Sequence, residues 1–332
     1  MTSLLVPTFN KIILLLLACL LLQSCKPGNY DLNSLKSPIL FKGDSLTAYR
    51  DPAVLFHDGT FHLFFTKVEI EPDGKVFSYT SYSKSDNLID WDDPVKITSR
   101  DQNLNYSSPG NIIRYQDEWV LCLQTYPRPG QVIGEGARYG NKDARVFIMR
   151  SKDLKNWSEP ELLKVKGPDI PESEMGRMID PYLIQDKDDP EKYWCFYKQN
   201  GASMSYSTDL ESWTYFGNTE AGENVTVLVE EDQYIMFHSP PNGIGIKRSD
   251  NLVHWEDWGP IITLGQDTWD WAKGRLTAAT VVDLRNTEGI NQYLMFFHGS
   301  GPKSEREGDF DRNSSIGIAW SDDLKIWHWP KK

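Results

Sequence analysis

Ser85-Asp86-Asn87-Leu88-Ile89-Asp90-Trp91 is the first of five stretches in which serine is followed three residues later by leucine and six later by tryptophan. The others are Ser151-Lys152-Asp153-Leu154-Lys155-Asn156-Trp157, Ser207-Thr208-Asp209-Leu210-Glu211-Ser212-Trp213, Ser249-Asp250-Asn251-Leu252-Val253-His254-Trp255 and Ser321-Asp322-Asp323-Leu324-Lys325-Ile326-Trp327. A motif that recurs along a chain marks one supersecondary unit used repeatedly. The five tryptophans are 66, 56, 42 and 72 residues apart, a mean of 59. Five units of that size take up almost all of the 308 residues after residue 24, which leaves no room for a second domain.

Each unit carries the pattern of short strands. An apolar run comes first (52–56, 111–115, 181–184, 225–229 and 280–284), and after a polar turn an aromatic-rich run follows (61–66, 119–125, 193–198, 234–238 and 293–298). A third run (77–83, 145–150, 203–207, 244–247 and 316–320) leads into the repeated motif, and a fourth short segment follows each tryptophan. Runs of about 4–8 residues rich in β-branched and aromatic side chains, separated by turn signals, read as antiparallel strands. Four strands used five times predict an all-β protein, a five-bladed β-propeller with four antiparallel strands per blade. In the motif itself, Ser, Asp and Asn are expected to bond local backbone in a turn, while Leu and Trp fill the space between blades.

The chain has 332 residues, 12% aromatic and 25% charged, enough to bury a large core. Lys11 precedes an apolar run over 12–22 that is too short to span a bilayer and reads as a secretory h-region. Leu22-Gln23-Ser24-Cys25 then sets a small residue before cysteine, as at a bacterial lipoprotein cleavage site. The expected organisation is a lipoprotein-type signal peptide over 1–24, lipid on Cys25, a tether over 25–37, and a propeller over 38–332. That places the protein outside the cytoplasm, lipid-anchored to the bacterial cell envelope; an unlipidated secretory signal is the alternative. Loss of residues 1–24 removes only Lys11 as a charge and takes the net charge from −12 to −13. Such acidity argues against nucleic acid or an anionic lipid surface as partner. Cys122 and Cys195 lie in apolar runs and are expected to be buried free thiols, and no cysteine spacing suits a metal.

In an up-and-down blade, the start of strand one, the end of strand two and the loop between strands two and three share one face. The long insertions fall there: 67–76, 127–144 and 299–314, with the connections 99–107, 165–179 and 264–276 arriving at the same side. Long loops on a repeat scaffold are where function concentrates. At the entries to strand one stand Asp51-Pro52, Ser108-Pro109, Asp180-Pro181, Glu223-Asn224 and Thr277-Ala278, so units one, three and four bring an acid. Proline holds the residue before it extended and suits the first position of a strand. Three acids projected toward one axis resist joint ionisation, and at least one should keep its proton. A protonated acid beside an ionised base is the equipment of glycosidic bond cleavage; turn and capping acids are the plainer alternative.

This set of residues resembles the five-bladed propeller glycosidases of glycoside hydrolase family 43 and the related family 117. Those have an Asp-Pro acid in blade one, another in blade three and a Glu opening blade four. The resemblance runs from about residue 45 to the C-terminus. It implies an inverting glycoside hydrolase in which Asp51 is the base, Glu223 the general acid, and Asp180 the group that orients Glu223 and raises its pKa. The family often has Glu-Gly-Pro at the acid, whereas this chain has Glu223-Asn224-Val225; Glu135, Glu172 and Glu174 are fallback acids on the same face. The resemblance also implies, in some members, a central cation such as calcium near the blade-five histidine. No cofactor is required by the residues themselves.

Around these acids, His238 and His298 end strand two of blades four and five and are expected at the same mouth, as structural residues or as substrate contacts. Arg50, Arg177 and Arg275 stand close to the acids, either as charge partners or as grips on a substrate hydroxyl or carboxylate. Trp269 and Trp271 flank Asp270 in the loop before blade five and either stack on a sugar or pack the loop; Tyr106 and Tyr126 are weaker candidates of the same kind. The sum predicts a glycosidase acting on a carbohydrate, with long loops forming a pocket suited to exo-action. A non-catalytic glycan-binding lipoprotein on the same scaffold is the alternative.

Overall fold

The structure, a computed structural model, describes residues 30–135, 142–230 and 232–331. The expected signal peptide, Cys25 and the first part of the expected tether lie outside the described residues. Twenty strands form five four-stranded antiparallel sheets. The first strand, β1 (Ile39–Phe41), belongs to the last sheet. Blade one is β2 (Thr47–His57), β3 (Thr60–Ile70), β4 (Val76–Ser85) and β5 (Val95–Lys96). Blade two is β6 (Tyr106–Tyr115), β7 (Glu118–Thr125), β8 (Val146–Ser151) and β9 (Glu161–Leu162). Blade three follows with β10 (Ile179–Gln185), β11 (Tyr193–Lys198), β12 (Ala202–Ser207) and β13 (Thr214–Thr219). Blade four has β14 (Glu223–Glu230), β15 (Gln233–Ser239), β16 (Gly245–Ser249) and β17 (Glu256–Asp257). Blade five has β18 (Arg275–Leu284), β19 (Gln292–Ser300) and β20 (Ser315–Ser321), completed by β1. The predicted propeller is the observed one.

The repeated motif makes the same turn five times. Leu88, Leu154, Leu210, Leu252 and Leu324 all adopt positive φ, between 59° and 66°, a conformation uncommon for residues other than glycine. Local bonds hold it. In the third copy the Asp209 carboxylate accepts the amides of Glu211 and Ser212, and Ser207 Oγ accepts the Asp209 amide. Trp213 Nε1 donates to the Leu210 carbonyl at 3.2 Å, and the first, fourth and fifth copies repeat that bond. Trp157 is the exception, its Nε1 buried with no hydrogen-bond partner among the described residues. The leucines themselves are buried in the clusters between blades.

Ring closure departs from the expected pattern. Blade five was expected to take its fourth strand from the segment after Trp327, and that segment makes only a two-way bond between His328 and Trp320. The rest of the edge of β20 is covered by β1, with Ile39 opposite Gly317 and Phe41 opposite Ile316. Both chain ends therefore share one blade, and the ring cannot open there without breaking this sheet. The expected tether is likewise docked from residue 30 onward. Tyr30 packs edge-on to Phe56 and Phe61 and donates its hydroxyl to the Gly59 carbonyl, while Leu32 is buried in the same cluster. Cys122 and Cys195 are buried free thiols.

Phe41 contacts the rings of Phe65, Tyr49 and Trp91 at the seam between blades five and one. Replacing Phe41 with alanine is expected to cost roughly 3–5 kcal/mol, whereas Ile326→Ala, at a position 63% exposed, should be nearly neutral. Urea unfolding of the two variants compares them, and equal midpoints would show that the closing strand adds nothing.

Candidate active site

Each inner strand carries one residue with positive φ at the same place: Asp51 (48°), Ser108 (51°), Asp180 (53°), Asn224 (49°) and Ala278 (53°). Strand pairing breaks register around all five, the mark of a bulge that re-aims side chains. Asp51 and Asp180 thus sit on bulges, Asp51 fifth in β2 and Asp180 second in β10, while Glu223 opens β14 just before its bulge. In blades four and five the bulged residue is the second of the pair matched by sequence. Asn224, not Glu223, is the counterpart of Asp51 and Asp180, and Glu223 corresponds to Arg50. This also accounts for the missing glycine: Asn224 takes the place of Gly in Glu-Gly-Pro, and asparagine tolerates the left-handed conformation.

The bulges open onto one cavity of about 560 Å³ at the loop-bearing face, lined by Asp51, Asp180 and Glu223 together with Arg50, Arg177, Arg275 and His298. Asp51 is held on all sides. Its Oδ2 accepts the hydroxyls of Ser108 at 2.8 Å and Thr66 at 3.1 Å, and its backbone N–H donates to His298 Nδ1 at 3.0 Å. With Nδ1 accepting, the His298 proton sits on Nε2, which faces Glu305 Oε1 at 3.2 Å. Asp180 is buried; its Oδ2 accepts the Asn224 amide at 3.4 Å, and its own amide donates to Gln124 Oε1. Burial first, then the negative charges of Glu223 and Asp51, push the Asp180 carboxyl up to about 8, with Arg177 opposing. Glu223 is more open, its side chain 38% exposed against 7% for Asp51. Arg275 reaches it at 3.2 Å while binding Glu305 more closely, at 2.6 Å.

Several expected contacts fall elsewhere. His238 is one residue out of step with His298: Ser239 faces Glu223 as His298 faces Thr277, and a one-residue slip turns a side chain to the other face. His238 accepts the Gly222 amide at 3.0 Å, does not line the cavity, and is lowered to about 4 by burial and Lys247. His298 lines the cavity but is 1% exposed, with both ring nitrogens engaged, so it positions Asp51 and does not reach for substrate. Trp269 and Trp271 stack on each other and on Phe297 and do not line the cavity. Tyr106 packs on Phe147, and Glu135, Glu172 and Glu174 also lie outside the cavity lining; Tyr126 is part of it.

A cation beside the blade-five histidine does not fit these residues. The Arg50 guanidinium already lies between Asp51 and Glu305, 3.9 and 3.8 Å from their oxygens, and the lone pair of His298 Nδ1 is spent on an amide. No group of three or more metal-binding side chains occurs among the described residues.

Sequence reasoning missed Glu305, Arg128, Lys198, Arg306 and Phe310, all in the lining. Glu305 is buried and accepts from Arg275 and His298; the nearby cations hold its carboxyl well below the usual range, against the effect of burial. The sequence marks only the turn that carries it: Ser304 and Glu307 form a capping box on Glu305–Glu307, a pattern visible as Ser-x-x-Glu.

In its fold this chain is similar to solved structures of glycoside hydrolases. No family model matches the sequence, and no curated protein matches it. Among solved structures, a thermostable family-43 glycoside hydrolase superposes with a TM-score of 0.56 at 14% identity, covering 86% of this chain and 93% of that one. An exo-1,5-α-L-arabinanase from a bovine ruminal metagenomic library gives 0.57 at 14%, over 90% and 98%. A glycosyl hydrolase from Bacteroides ovatus gives 0.59 at 12%, over 91% and 93%. At these identities the likeness establishes the fold.

A buried carboxyl with a raised pKa binds its proton more tightly in the folded state, so stability is full below the ordinary value of 3.8 and is lost as pH rises toward about 8. Asp180→Asn should therefore gain thermal stability over the parent at pH 8 and little at pH 4. Melting curves at the two pH values test it, and an equal effect at both would contradict the burial of a protonated acid.

Proposed function

We propose that this protein is a glycoside hydrolase that cleaves O-glycosyl bonds of an oligosaccharide or polysaccharide with inversion. The observation that carries the reading is the gathering of Asp51, Asp180 and Glu223, from three separate blades, around one cavity walled by the long loops. Asp51 is the base. Two hydroxyls fix its Oδ2, which leaves Oδ1 to draw a proton from the attacking water. Glu223 is the acid, and its exposure suits transfer to a leaving oxygen. While Glu223 carries its proton the contact with Arg275 is loosened and Glu305 keeps the guanidinium in place; as the proton leaves, that guanidinium receives the carboxylate that forms. Asp180 orients the acid: its Oδ2 accepts the amide of Asn224, the residue after Glu223, and the proton it keeps up to about 8 spares the cavity a further negative charge.

Arg128 from the loop after β7, and Glu305, Arg306 and Phe310 from the loop after β19, line the cavity; loop residues walling one mouth support exo-action on chain ends. Residues 57–60, where Tyr30 is anchored through Gly59, form the turn at the opposite end of the inner strand of blade one from Asp51. A lipid on Cys25 would thus leave from the face opposite the cavity and hold the mouth away from the bilayer, toward glycans outside. The reading of export to the bacterial cell envelope rests on the sequence from Lys11 to Cys25.

Asp51→Asn and Glu223→Gln should each lower turnover by about 100- to 10,000-fold, and Asp180→Asn, neutral at every pH, should abolish the fall in rate that ionisation of Asp180 brings near pH 8. Proton NMR of the anomer first released would show inversion. Near-normal rates in all three variants, with circular dichroism unchanged, would remove these carboxylates from the chemistry.

A further inference from the structure

The cavity has a charge balance opposite to that of the molecule around it. Six cationic side chains line it, those of Arg50, Arg128, Arg177, Lys198, Arg275 and Arg306, against the four carboxylates of Asp51, Asp180, Glu223 and Glu305. The chain as a whole carries −12. Internal pairing uses up much of this charge. Arg275 bridges Glu223 and Glu305, Arg50 lies between Asp51 and Glu305, and Arg128 binds Asp311 at 2.6 Å. Even so, the Nε–H groups of Arg50, Arg128 and Arg275 are buried with no hydrogen-bond partner among the described residues.

Lys198 and Arg306 stand apart from these pairs, since the side chain of neither makes a hydrogen bond or ion pair with a described residue. Lys198 ends β11 opposite Ile179, next to the Asp180 bulge, and its charge reaches His238 in blade four. It therefore sits between the blades that carry Asp180 and Glu223. Arg306 follows Glu305, the residue that holds Arg275 against Glu223. A surface lysine or arginine is ordinarily a solvated charge, but these two face into a concave site where field lines concentrate. A second observation points the same way. Tyr126 and Phe310 are each only 7% exposed, with arginines over the Phe310 ring, and Trp269 and Trp271 lie outside the lining. A neutral sugar is commonly gripped on an open aromatic face, and here cations take that place.

We infer that the saccharide bound in this cavity is anionic, carrying a uronate carboxylate or a sulfate ester that Lys198 and Arg306 engage beside Glu223. The inference rests on the reading of the cavity as a saccharide site and adds the class of sugar. Arg306 offers a planar fork to either oxyanion, and Lys198 a point charge. Ionic contacts at an open mouth weaken as salt rises.

The test is binding of the Asp51→Asn protein to a printed glycan array holding neutral, uronate-containing and sulfated oligosaccharides, read at low and high salt. Binding is expected on the charged members, at least tenfold over their neutral counterparts, and weaker at high salt. Which charged set responds distinguishes carboxylate from sulfate. Lys198→Met and Arg306→Gln, added singly, should each lower that signal about tenfold, while Lys198→Arg should restore it; melting temperatures check that each variant folds. Signal on neutral glycans alone, equal signal on both members of a pair, no signal on any glycan, or no response to either substitution would overturn the inference. Because the readout is binding, hydrolysis of a neutral glycan by the parent protein would defeat this inference and leave the hydrolase reading standing.

Discussion

One backbone feature governs this molecule: a residue forced into the left-handed conformation on each inner strand. The five bulges interrupt strand pairing at matching positions and turn particular side chains toward the axis. Where the bulged residue is Asp, as in blades one and three, a carboxylate is held in the cavity with little freedom. Ser108 uses the same geometry to supply a hydroxyl to Asp51. In blade four, Asn224 absorbs the strained φ, so that the preceding Glu223 is free to reach the mouth. Ala278 carries the conformation with no polar side chain, and it shows that the scaffold imposes the bulge whether or not chemistry uses it.

Electrostatics then sorts the acids by environment. Asp51 is tied down by hydroxyls and a histidine, Asp180 is buried beside other negative charge, and Glu223 is half in water against an arginine. Three carboxylates close together in an acidic protein would repel one another. The surrounding arginines are the reason they can coexist, and Glu305 keeps those arginines from neutralising the acids outright. The same arrangement leaves the cavity more cationic than the chain that builds it, which is why the sign of its ligand is a structural question and not one of overall charge.

The repeat was legible from composition and spacing because each blade must bury the same kind of surface against its neighbour. A motif of five copies leaves few other folds open. The three acids were legible too, although the frame was not: the residue pairs Glu223-Asn224 and Thr277-Ala278 of units four and five are offset by one residue from those of the other units. Asp-Pro in units one and three signals the bulge directly, whereas Asn224 and Ala278 carry no such mark. That offset misplaced His238, whose position looks equivalent to that of His298 until strand register is known.

Length, periodicity and the order of strands determined the number of blades, the loop-bearing face and the candidate carboxylates, since those follow from local hydrophobic pattern and chain direction. Tertiary structure alone decided how the ring closes, because β1 pairs with residues almost three hundred positions away. It also decided that Trp269 and Trp271 pack against Phe297 and that Glu305, Lys198 and Arg306 enter the lining. These outcomes depend on where loops from different blades meet in space, and no local pattern of residues encodes that meeting.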